Sequence, residues 1–296
     1  MSRFSDRIKA DLTLLLVTVF WGTAFAVLRI ALEHHVVHYL NGLRLLLGAV
    51  LLFPLALWQK ERIERAHLLI ILLTGLILFA AVGLQMIGLE TTTAGNAGFI
   101  TSLYVVIVPF ILWLGWSEKP SFLLLVAVTL AVIGGFLLST GGSLRLMIGD
   151  LWVGASSLFW ALHLVIVGRF ARRLPPLSFA SGQFFIAGLL SLLAGLFLEH
   201  PSQADFLAIL PSVIYTGIFS IALGFTLQVM AQKHTPAGDA ALILSLEAVF
   251  AAFFGWWFVG EVLLPVQLAG CGLILVAVIL AQAKEFHSRM STPSSS

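Results

Sequence analysis

Long apolar segments that alternate with short polar connections dominate this sequence. Ten such segments occur, each of roughly 18–25 residues. About 20 apolar residues in a helix span the hydrocarbon core of a bilayer, and a helix satisfies its own backbone hydrogen bonds there. The pattern therefore predicts an all-α integral membrane protein with ten transmembrane helices. The predicted spans are residues 12–31, 41–58, 67–88, 94–116, 121–140, 150–168, 178–198, 206–231, 238–259 and 264–283.

The composition supports a membrane protein and argues against other classes. Hydrophobic residues make up 60% of the chain and charged residues 10%, with a mean hydropathy of +1.06, whereas a soluble domain carries about 25% charged residues. The spans use nearly the whole chain, so no soluble catalytic or nucleotide-binding domain is expected. Because the formal charge of +2 is small and the basic residues are dispersed, nucleic acid is not an expected partner. The expected partners are the lipid bilayer and a small molecule.

The basic residues indicate the orientation of the chain. Of the 16 Lys and Arg residues, 13 lie at the N-terminus, in the even-numbered connections or in the tail. Only Arg29, Arg44 and Arg145 belong to the other side. Cytoplasmic loops are enriched in Lys and Arg, so both termini are predicted to be cytoplasmic. The Ser- and Pro-rich residues 284–296 are predicted to form a disordered cytoplasmic tail.

The sequence contains an internal duplication. Several residues recur at an offset of 139 and others at 143. The matched pairs are Asp11 with Asp150, Phe20-Trp21 with Phe159-Trp160, Arg44 with Gln183, "AGNA" (94–97) with "AGDA" (237–240), Ser102-Leu103 with Ser245-Leu246, and Glu118 with Glu261. They predict two five-helix repeats, over residues 11–140 and 150–283. Because five is odd, the second repeat must be inverted relative to the first, an arrangement typical of transporters with a site between the repeats.

The motifs also resemble those of a known family. "FWGTAF" (20–25) followed by Arg29 and Arg44 resembles the start of the EamA-type drug/metabolite transporter superfamily. "TSLYVVIVPFILWLGWSE" (101–118) and "LSLEAVFAAFFGWWFVGE" (244–261) resemble the corresponding helices of its two repeats, and the resemblance covers about residues 11–283. It implies a ten-helix transporter of the bacterial inner membrane, often an exporter of small metabolites. Within the superfamily the chain looks most like bacterial amino-acid exporters, including those for aromatic amino acids.

Glu247 is the strongest candidate for a functional residue. A charge at its expected depth within the ninth span costs about 2.5–3.5 kcal/mol. It could face a central cavity, where it would attract an ammonium group or carry a proton, or it could hydrogen-bond a neighbouring helix. The offset of 143 makes Tyr104 its counterpart in the first repeat. We expect Tyr104 to face the opposite leaflet.

Aromatic and histidine residues supply further candidates for a cavity wall. His163 lies inside the sixth span and could bind a substrate or relay a proton, or simply be hydrogen-bonded in the core. Trp160, one turn earlier, and its counterpart Trp21 could form an aromatic wall or only fill helix contacts. Phe79 and Gly83 share one face of the third span, where they could shape a pocket.

Other polar residues lie near the ends of predicted spans. Gln85 and Gln228 are counterparts at an offset of 143 and are interpreted as gating residues. Asn96 and Asp239 lie just inside the fourth and ninth spans, where we expect them to cap helices or belong to gates. Arg44 is expected to extend to the headgroups or to serve packing.

Together these features predict a secondary transporter that exports small metabolites, foremost amino acids, by alternating access. A multidrug or quaternary-cation exporter is the alternative within the class, and a membrane enzyme or lipid-handling protein is the alternative outside it. No catalytic or metal-binding motif occurs, and no lysine lies in the middle of a span, which argues against a phosphate substrate. We predict no enzyme activity, no cofactor and no metal, and a monomer because no G-x-x-x-G motif occurs in a span.

Overall fold

The computed structural model describes residues 2–60, 63–140 and 147–290, and the side chains of 6–60, 63–139 and 147–280. This part of the chain is all-helical, as predicted, and contains no strand. Nine of its helices are long and apolar enough to cross a membrane, and the tenth has a shorter apolar part, Pro265–Leu280. The helices are α1 (Ser2–Ala31), α2 (Val37–Trp58), α3 (Arg65–Leu89), α4 (Ala94–Trp116), α5 (Phe122–Thr140), α6 (Ile148–Phe170), α7 (Pro176–Leu198), α8 (Gln203–Ala231), α9 (Ala237–Val259) and α10 (Pro265–Met290).

Two of the predicted features fall partly outside the described residues. The helix α10 continues to Met290, and residues 291–296 of the predicted tail are not among those described. Arg62 and Arg145, which entered the orientation argument, are also outside them.

Two helices that the hydropathy pattern predicts as continuous are interrupted. The helix α4 consists of Ala94–Ser102 and Tyr104–Trp116. The helix α9 consists of Ala237–Leu244, Glu247–Phe254 and a π-helical turn, Gly255–Val259. The interruptions fall at Leu103 and at Ser245-Leu246, and the second segments begin 143 residues apart, at Tyr104 and Glu247.

A serine with a hydrogen bond to its own helix lies at each interruption. The Ser102 hydroxyl donates to the Phe99 carbonyl at 2.7 Å, and the Ser245 hydroxyl donates to the Leu242 carbonyl at 2.6 Å. A hydroxyl that bonds a carbonyl of the preceding turn competes with the helical ladder and bends the helix. The repeated Ser-Leu pair therefore marks an interruption at the same place in both halves.

The helix α8 widens in its middle. Residues Thr216–Phe225 form a π-helical segment between the regular helices Gln203–Tyr215 and Thr226–Ala231. Such widened turns often occur at functional sites. This one turns the Ser220 carbonyl toward Trp21, whose indole N–H donates to it at 3.1 Å.

Glycines allow close contacts between helices from different halves. In α5 and α10, a Cβ added at Gly270 would lie 2.3 Å from the carbonyl oxygen of Gly134. In α3 and α6, a Cβ at Gly149 would lie 2.2 Å from the carbonyl oxygen of Gly88. Small residues allow backbones to approach in membranes, where lipid provides little hydrophobic force between helices.

The helix contacts form matched sets. The pairs α2–α7, α4–α9 and α5–α10 each join helices five apart in chain order. The contact of α1 with α8 has its equivalent in that of α6 with α3, and the contact of α1 with α9 has its equivalent in that of α6 with α4. When five is added to or subtracted from each helix number, the first three contacts map onto themselves and each of the others maps onto its equivalent.

Candidate functional site

A cavity lies between helices of both halves. Its wall is mostly apolar and aromatic with a few polar groups, as in many small-molecule sites. The lining residues are Trp21, Ala24, Phe25 and Leu28 of α1, Arg44 of α2, Val82 and Gln85 of α3, Thr101 and Tyr104 of α4, Trp160 and Leu164 of α6, Ser220, Ile221, Phe225 and Gln228 of α8, and Glu247 of α9.

Glu247 and Tyr104 meet at the wall of this cavity. The Tyr104 hydroxyl donates to Glu247 Oε1 at 3.0 Å, and the side chains belong to residues only 2% and 3% exposed. The expectation that Tyr104 faces the opposite leaflet is therefore wrong. Both residues start the second segment of an interrupted helix, and α4 packs on α9, so the two counterparts come into contact. Glu247 thus faces the cavity and also bonds a neighbouring helix.

Trp21, Trp160 and Phe225 form an aromatic wall. The ring centroids of the two tryptophans are 6.3 Å apart, and Phe225 lies 4.9 Å from Trp21 and 5.7 Å from Trp160. Offset aromatic contacts at these separations are favourable. The structure brings the two tryptophans together, as the sequence suggested, and adds Phe225, which no sequence motif marked.

His163 lies behind the aromatic wall and not among the lining residues. It is fully buried, and its Nε2 hydrogen-bonds Gln183 Oε1 at 2.8 Å. Its ring packs edge-on against Trp160 and Phe225, with centroids 6.1 Å and 5.8 Å away. His163 therefore supports the wall from the rear, which matches the simpler of the two sequence interpretations.

Gln85 and Gln228 lie on the cavity wall itself. Gln85 donates to Thr101 Oγ1 at 2.9 Å, and Gln228 donates to Gln232 Oε1 at 3.0 Å. The Oε1 atom of Gln228 is buried without a hydrogen-bond partner. The interpretation of Gln85 and Gln228 as gating residues stays a prediction, and both side chains lie beside the cavity.

Phe79 and Gly83 are not among the lining residues. Phe79 packs against the central hydrophobic core. Gly83 is buried, and a Cβ added there would meet no atom within 4 Å. These two residues leave space within the helix bundle but do not form the wall of the cavity described above.

Asp239 belongs to a polar cluster that joins the start of α9 to α1. Its carboxylate accepts from Arg7 Nη2 at 2.9 Å, while Arg7 Nε donates to Asp11 at 2.8 Å. The Thr235 hydroxyl donates to Asp11 at 2.8 Å. We name Arg7, Asp11, Thr235 and Asp239 the ionic cluster.

The corresponding region at the start of α6 is different. The Thr92 hydroxyl donates to Asp150 at 2.6 Å, which repeats the contact of Thr235 with Asp11. Asn96, the counterpart of Asp239, accepts from the Ser139 hydroxyl at 2.9 Å. Asn96 does not cap its helix as expected, because Thr93 precedes it and accepts its backbone N–H.

Arg44 is the site residue that the sequence interpretation missed. It is only 3% exposed and lines the cavity, so the expectation that it extends to the headgroups is wrong. Its Nε and Nη2 donate to Asn41 Oδ1 at 3.0 and 2.7 Å. The sequence did contain a signal for this burial. The counterpart of Arg44 in the second repeat, Gln183, is also polar, and two polar residues at one repeat position within membrane spans indicate side chains that face the protein interior.

Metal binding has no basis in this part of the molecule. Across residues 6–60, 63–139 and 147–280, no three His, Cys, Asp or Glu side chains come together in a group that could hold an ion.

Known proteins resemble this chain along almost its full length. The model of the EamA-like transporter family matches it twice, over residues 8–140 and 147–282. An uncharacterized transporter of Archaeoglobus fulgidus is 34% identical over 94% of this chain and 87% of its own length. A solved crystal structure, 17% identical, covers 96% of this chain and 99% of its own with a TM-score of 0.76, which shows a shared fold.

Two relatives carry names that include substrates. The threonine/homoserine exporter RhtA of Escherichia coli is 28% identical over 80% of this chain and 79% of its own length. The S-adenosylmethionine/S-adenosylhomocysteine transporter of Chlamydia trachomatis is 25% identical over 90% of this chain and 87% of its own length.

Proposed function

Because the chain belongs to the EamA-like transporter family, we propose that it is a secondary transporter that exports small metabolites, foremost amino acids, by alternating access. The observation that carries the proposal is the cavity, which helices of both halves share and which holds an acidic group, a basic group and an aromatic wall. The protein is a multi-pass membrane protein. We place it in the bacterial inner membrane as a monomer with both termini in the cytoplasm.

Two inverted repeats supply the mechanism in this proposal. The family model matches each half separately, and the helix contacts are matched when five is added to or subtracted from the helix number. A residue on an axis that relates the halves must lie beside its own counterpart, as Tyr104 does beside Glu247. Two inverted copies can exchange conformations, which opens the cavity first to one side and then to the other.

The polar clusters serve as gates in this cycle. The ionic cluster ties the start of α9 to α1, and the contact of Thr92 with Asp150 ties the start of α6 to the segment before α4. With inverted repeats these two contacts lie at opposite ends of the cavity. Opening toward either side then requires one of them to break.

The cavity chemistry favours an amphipathic solute with a positive group. The Glu247 carboxyl can receive an ammonium group, and the faces of Trp21 and Trp160 attract cations and pack against apolar side chains. The name of RhtA supports amino acids, and the name of the chlamydial relative supports larger amino-acid derivatives. Aromatic amino acids are included in the proposal because of the aromatic wall.

A quaternary-cation exporter is the second candidate function. Glu247 beside the aromatic wall would also suit such a cation. Of the two, amino acids are the better match, because an exporter of cations alone has no use for the buried Arg44 on the same wall.

Flux through the purified protein in liposomes tests the proposal. Radiolabelled threonine, phenylalanine and S-adenosylmethionine are compared with tetraphenylphosphonium, with and without a pH gradient. We expect saturable amino-acid flux that falls at least about tenfold in Glu247→Gln, because the group that receives the ammonium is lost.

Glu118→Gln is the control, since Glu118 pairs with Arg169 outside the cavity. It should keep wild-type flux. Wild-type protein that carries none of the four compounds contradicts the proposed function. Flux of tetraphenylphosphonium alone selects the second candidate.

A further inference from the structure

We infer that Arg44 binds the carboxylate of the transported solute and thereby selects substrates that carry both a carboxylate and a positive group. The inference rests on the proposed function and deepens it. It assigns a specificity-determining role to a residue whose sequence context suggested only packing.

Arg44 is a buried cation that forms no ion pair with any of the described side chains. Its guanidinium has five N–H donors, and two N–H groups reach the same neutral acceptor, Asn41 Oδ1. Among the residues whose side chains are described, no carboxylate lies within 4.0 Å of it. A buried charge is strongly unfavourable unless it is paired, so a ligand in the cavity is the available source of an anion.

Glu247 does not neutralise Arg44, although both line the same cavity. The Glu247 carboxyl accepts from Tyr104 at 3.0 Å instead. The wall therefore presents a basic and an acidic group that form no ion pair with each other. A solute with separate negative and positive groups complements such a wall, whereas a solute with one kind of charge leaves one group unpaired.

The second half holds a different pair of side chains at the corresponding positions. Gln183, the counterpart of Arg44, hydrogen-bonds His163 at 2.8 Å. The counterpart of His163 at the same offset of 139 is Ala24, which also lines the cavity. Ala24 has no hydrogen-bond acceptor in its side chain. In the first half Arg44 therefore has no side-chain partner at this position, and both residues border the cavity.

Asn41 acts as a positioning residue for Arg44. Its amide Nδ2 donates to the Val82 carbonyl at 3.3 Å, which fixes the side on which Oδ1 faces the guanidinium. Asn41 is itself fully buried. A guanidinium held in this way keeps its remaining donors in a fixed planar array, which suits the two oxygens of a carboxylate.

A carboxylate fits the cavity better than a phosphate. Arg44 is the single Lys or Arg residue among the lining residues, and Glu247 adds an acidic group to the same wall. A dianionic phosphate would meet one cation and one carboxyl group. A carboxylate carries one charge, which one guanidinium can balance.

The test compares acids with their amides in the same liposomes. L-Phenylalanine and L-threonine are each paired with the corresponding amide, which keeps the ammonium group and lacks the carboxylate. Initial rates are measured for the wild type, Arg44→Gln and Arg44→Lys, with Arg169→Gln as a control outside the cavity. Folding is checked for each variant by gel filtration and thermal unfolding.

We expect the wild type to carry an acid about tenfold or more faster than its amide, because a site built for one polar group rejects an analogue that lacks it. Arg44→Gln should remove this preference, so that the acid and its amide are carried at similar rates. Arg44→Lys should retain part of it, and Arg169→Gln all of it. A residue with a purely structural role would lower both fluxes alike.

Three results would overturn the inference. The first is wild-type protein that carries amide and acid equally, a comparison that needs no variant. The second is a folded Arg44→Gln protein that keeps the preference. The third is wild-type protein that carries tetraphenylphosphonium but none of the amino acids. In that case the protein is still a transporter and only the role of Arg44 is refuted. Absence of flux for every compound would refute the proposed function as well.

Discussion

The contact between Tyr104 and Glu247 gives the most direct test of how the two halves meet. Tyr104→Phe removes the hydroxyl that donates to the Glu247 carboxyl at 3.0 Å and leaves the ring in place. Glu247→Leu removes the acceptor. In the double variant both partners are gone, so the difference between the double variant and the sum of the single variants isolates their interaction.

The magnitude follows from burial and from the surrounding lipid. Hydrogen bonds between membrane helices contribute about 0.6 kcal/mol on average and up to about 1.7 kcal/mol. Both residues here are at most 3% exposed, so water cannot replace the lost partner, and an unsatisfied buried group costs about 1–3 kcal/mol. We therefore expect a coupling free energy of about 1 kcal/mol, near the upper part of the membrane range.

Reversible unfolding of the purified protein by SDS in mixed micelles measures this coupling. The neighbouring neutral pair, Gln85 with Thr101, serves as an internal reference because its hydrogen bond is 2.9 Å long and also buried. The variants Gln85→Leu and Thr101→Val complete a second cycle. If the first cycle gives no coupling while the reference cycle gives a measurable one, α4 and α9 do not meet at these residues, and the placement of the axis is refuted.

Three further perturbations test the packing, the gate and the loop after α9. Gly270→Ala should lower the free energy of unfolding by about 1–3 kcal/mol, because the new Cβ would lie 2.3 Å from the backbone of α5. Gly272→Ala is the control, because its new Cβ faces open space and should have little effect. Equal thermal stability of the two variants would contradict the glycine contact. Asp239→Asn removes a carboxylate that pairs with Arg7 and should speed alkylation of a cysteine introduced into the cavity. An unchanged alkylation rate would exclude a gating role. Burial raises the pKa of the Glu261 carboxyl above its ordinary 4.5, so the folded state binds the proton more tightly than the unfolded chain. Stability should therefore fall as the pH rises above about 4.5. In thermal scans, the melting temperature of Glu261→Gln should change less over the same pH interval.

The sequence predicted the architecture well because membrane helices follow a simple physical rule. All ten apolar segments correspond to helices of the structure, since their backbone groups have no water to bond within lipid. The duplicated Phe-Trp pair also predicted one part of the site, because the same helix face occurs twice. Trp21 and Trp160 therefore contact each other in the cavity wall.

Hydropathy could not reveal the interruptions that shape the cavity. A serine that bonds a carbonyl of its own turn looks, in the sequence, like any small residue of an apolar helix. The interruptions at Leu103 and Ser245-Leu246 come directly before Tyr104 and Glu247. The expectation of opposite leaflets failed because these two counterparts lie where α4 packs on α9, and they contact each other there.

Arg44 was misjudged for a related reason. Distance from a helix end suggests that a long basic side chain can reach the headgroups, but it says nothing about which neighbours surround that side chain. The polar partner Asn41, one turn earlier in α2, holds the guanidinium inside the protein. A polar residue one turn before a membrane arginine is a signal that could have indicated this.

Duplication followed by divergence explains how a nearly symmetric fold obtains an asymmetric site. If the halves are inverted copies, as we propose, identical residues would make the two open states equivalent. The two halves differ at the cavity wall and at the helix starts. Tyr104 in the first half corresponds to Glu247 in the second, and the neutral Asn96 corresponds to Asp239, which pairs with Arg7. Among the described residues, an ion pair is present only at the proposed gate beside the start of α9. In this proposal the two closed ends then differ in stability, because an ion pair and a neutral hydrogen bond differ in the energy needed to separate them. Directional preference can therefore arise from a few substitutions in a repeated unit, without any change in the fold that both halves share.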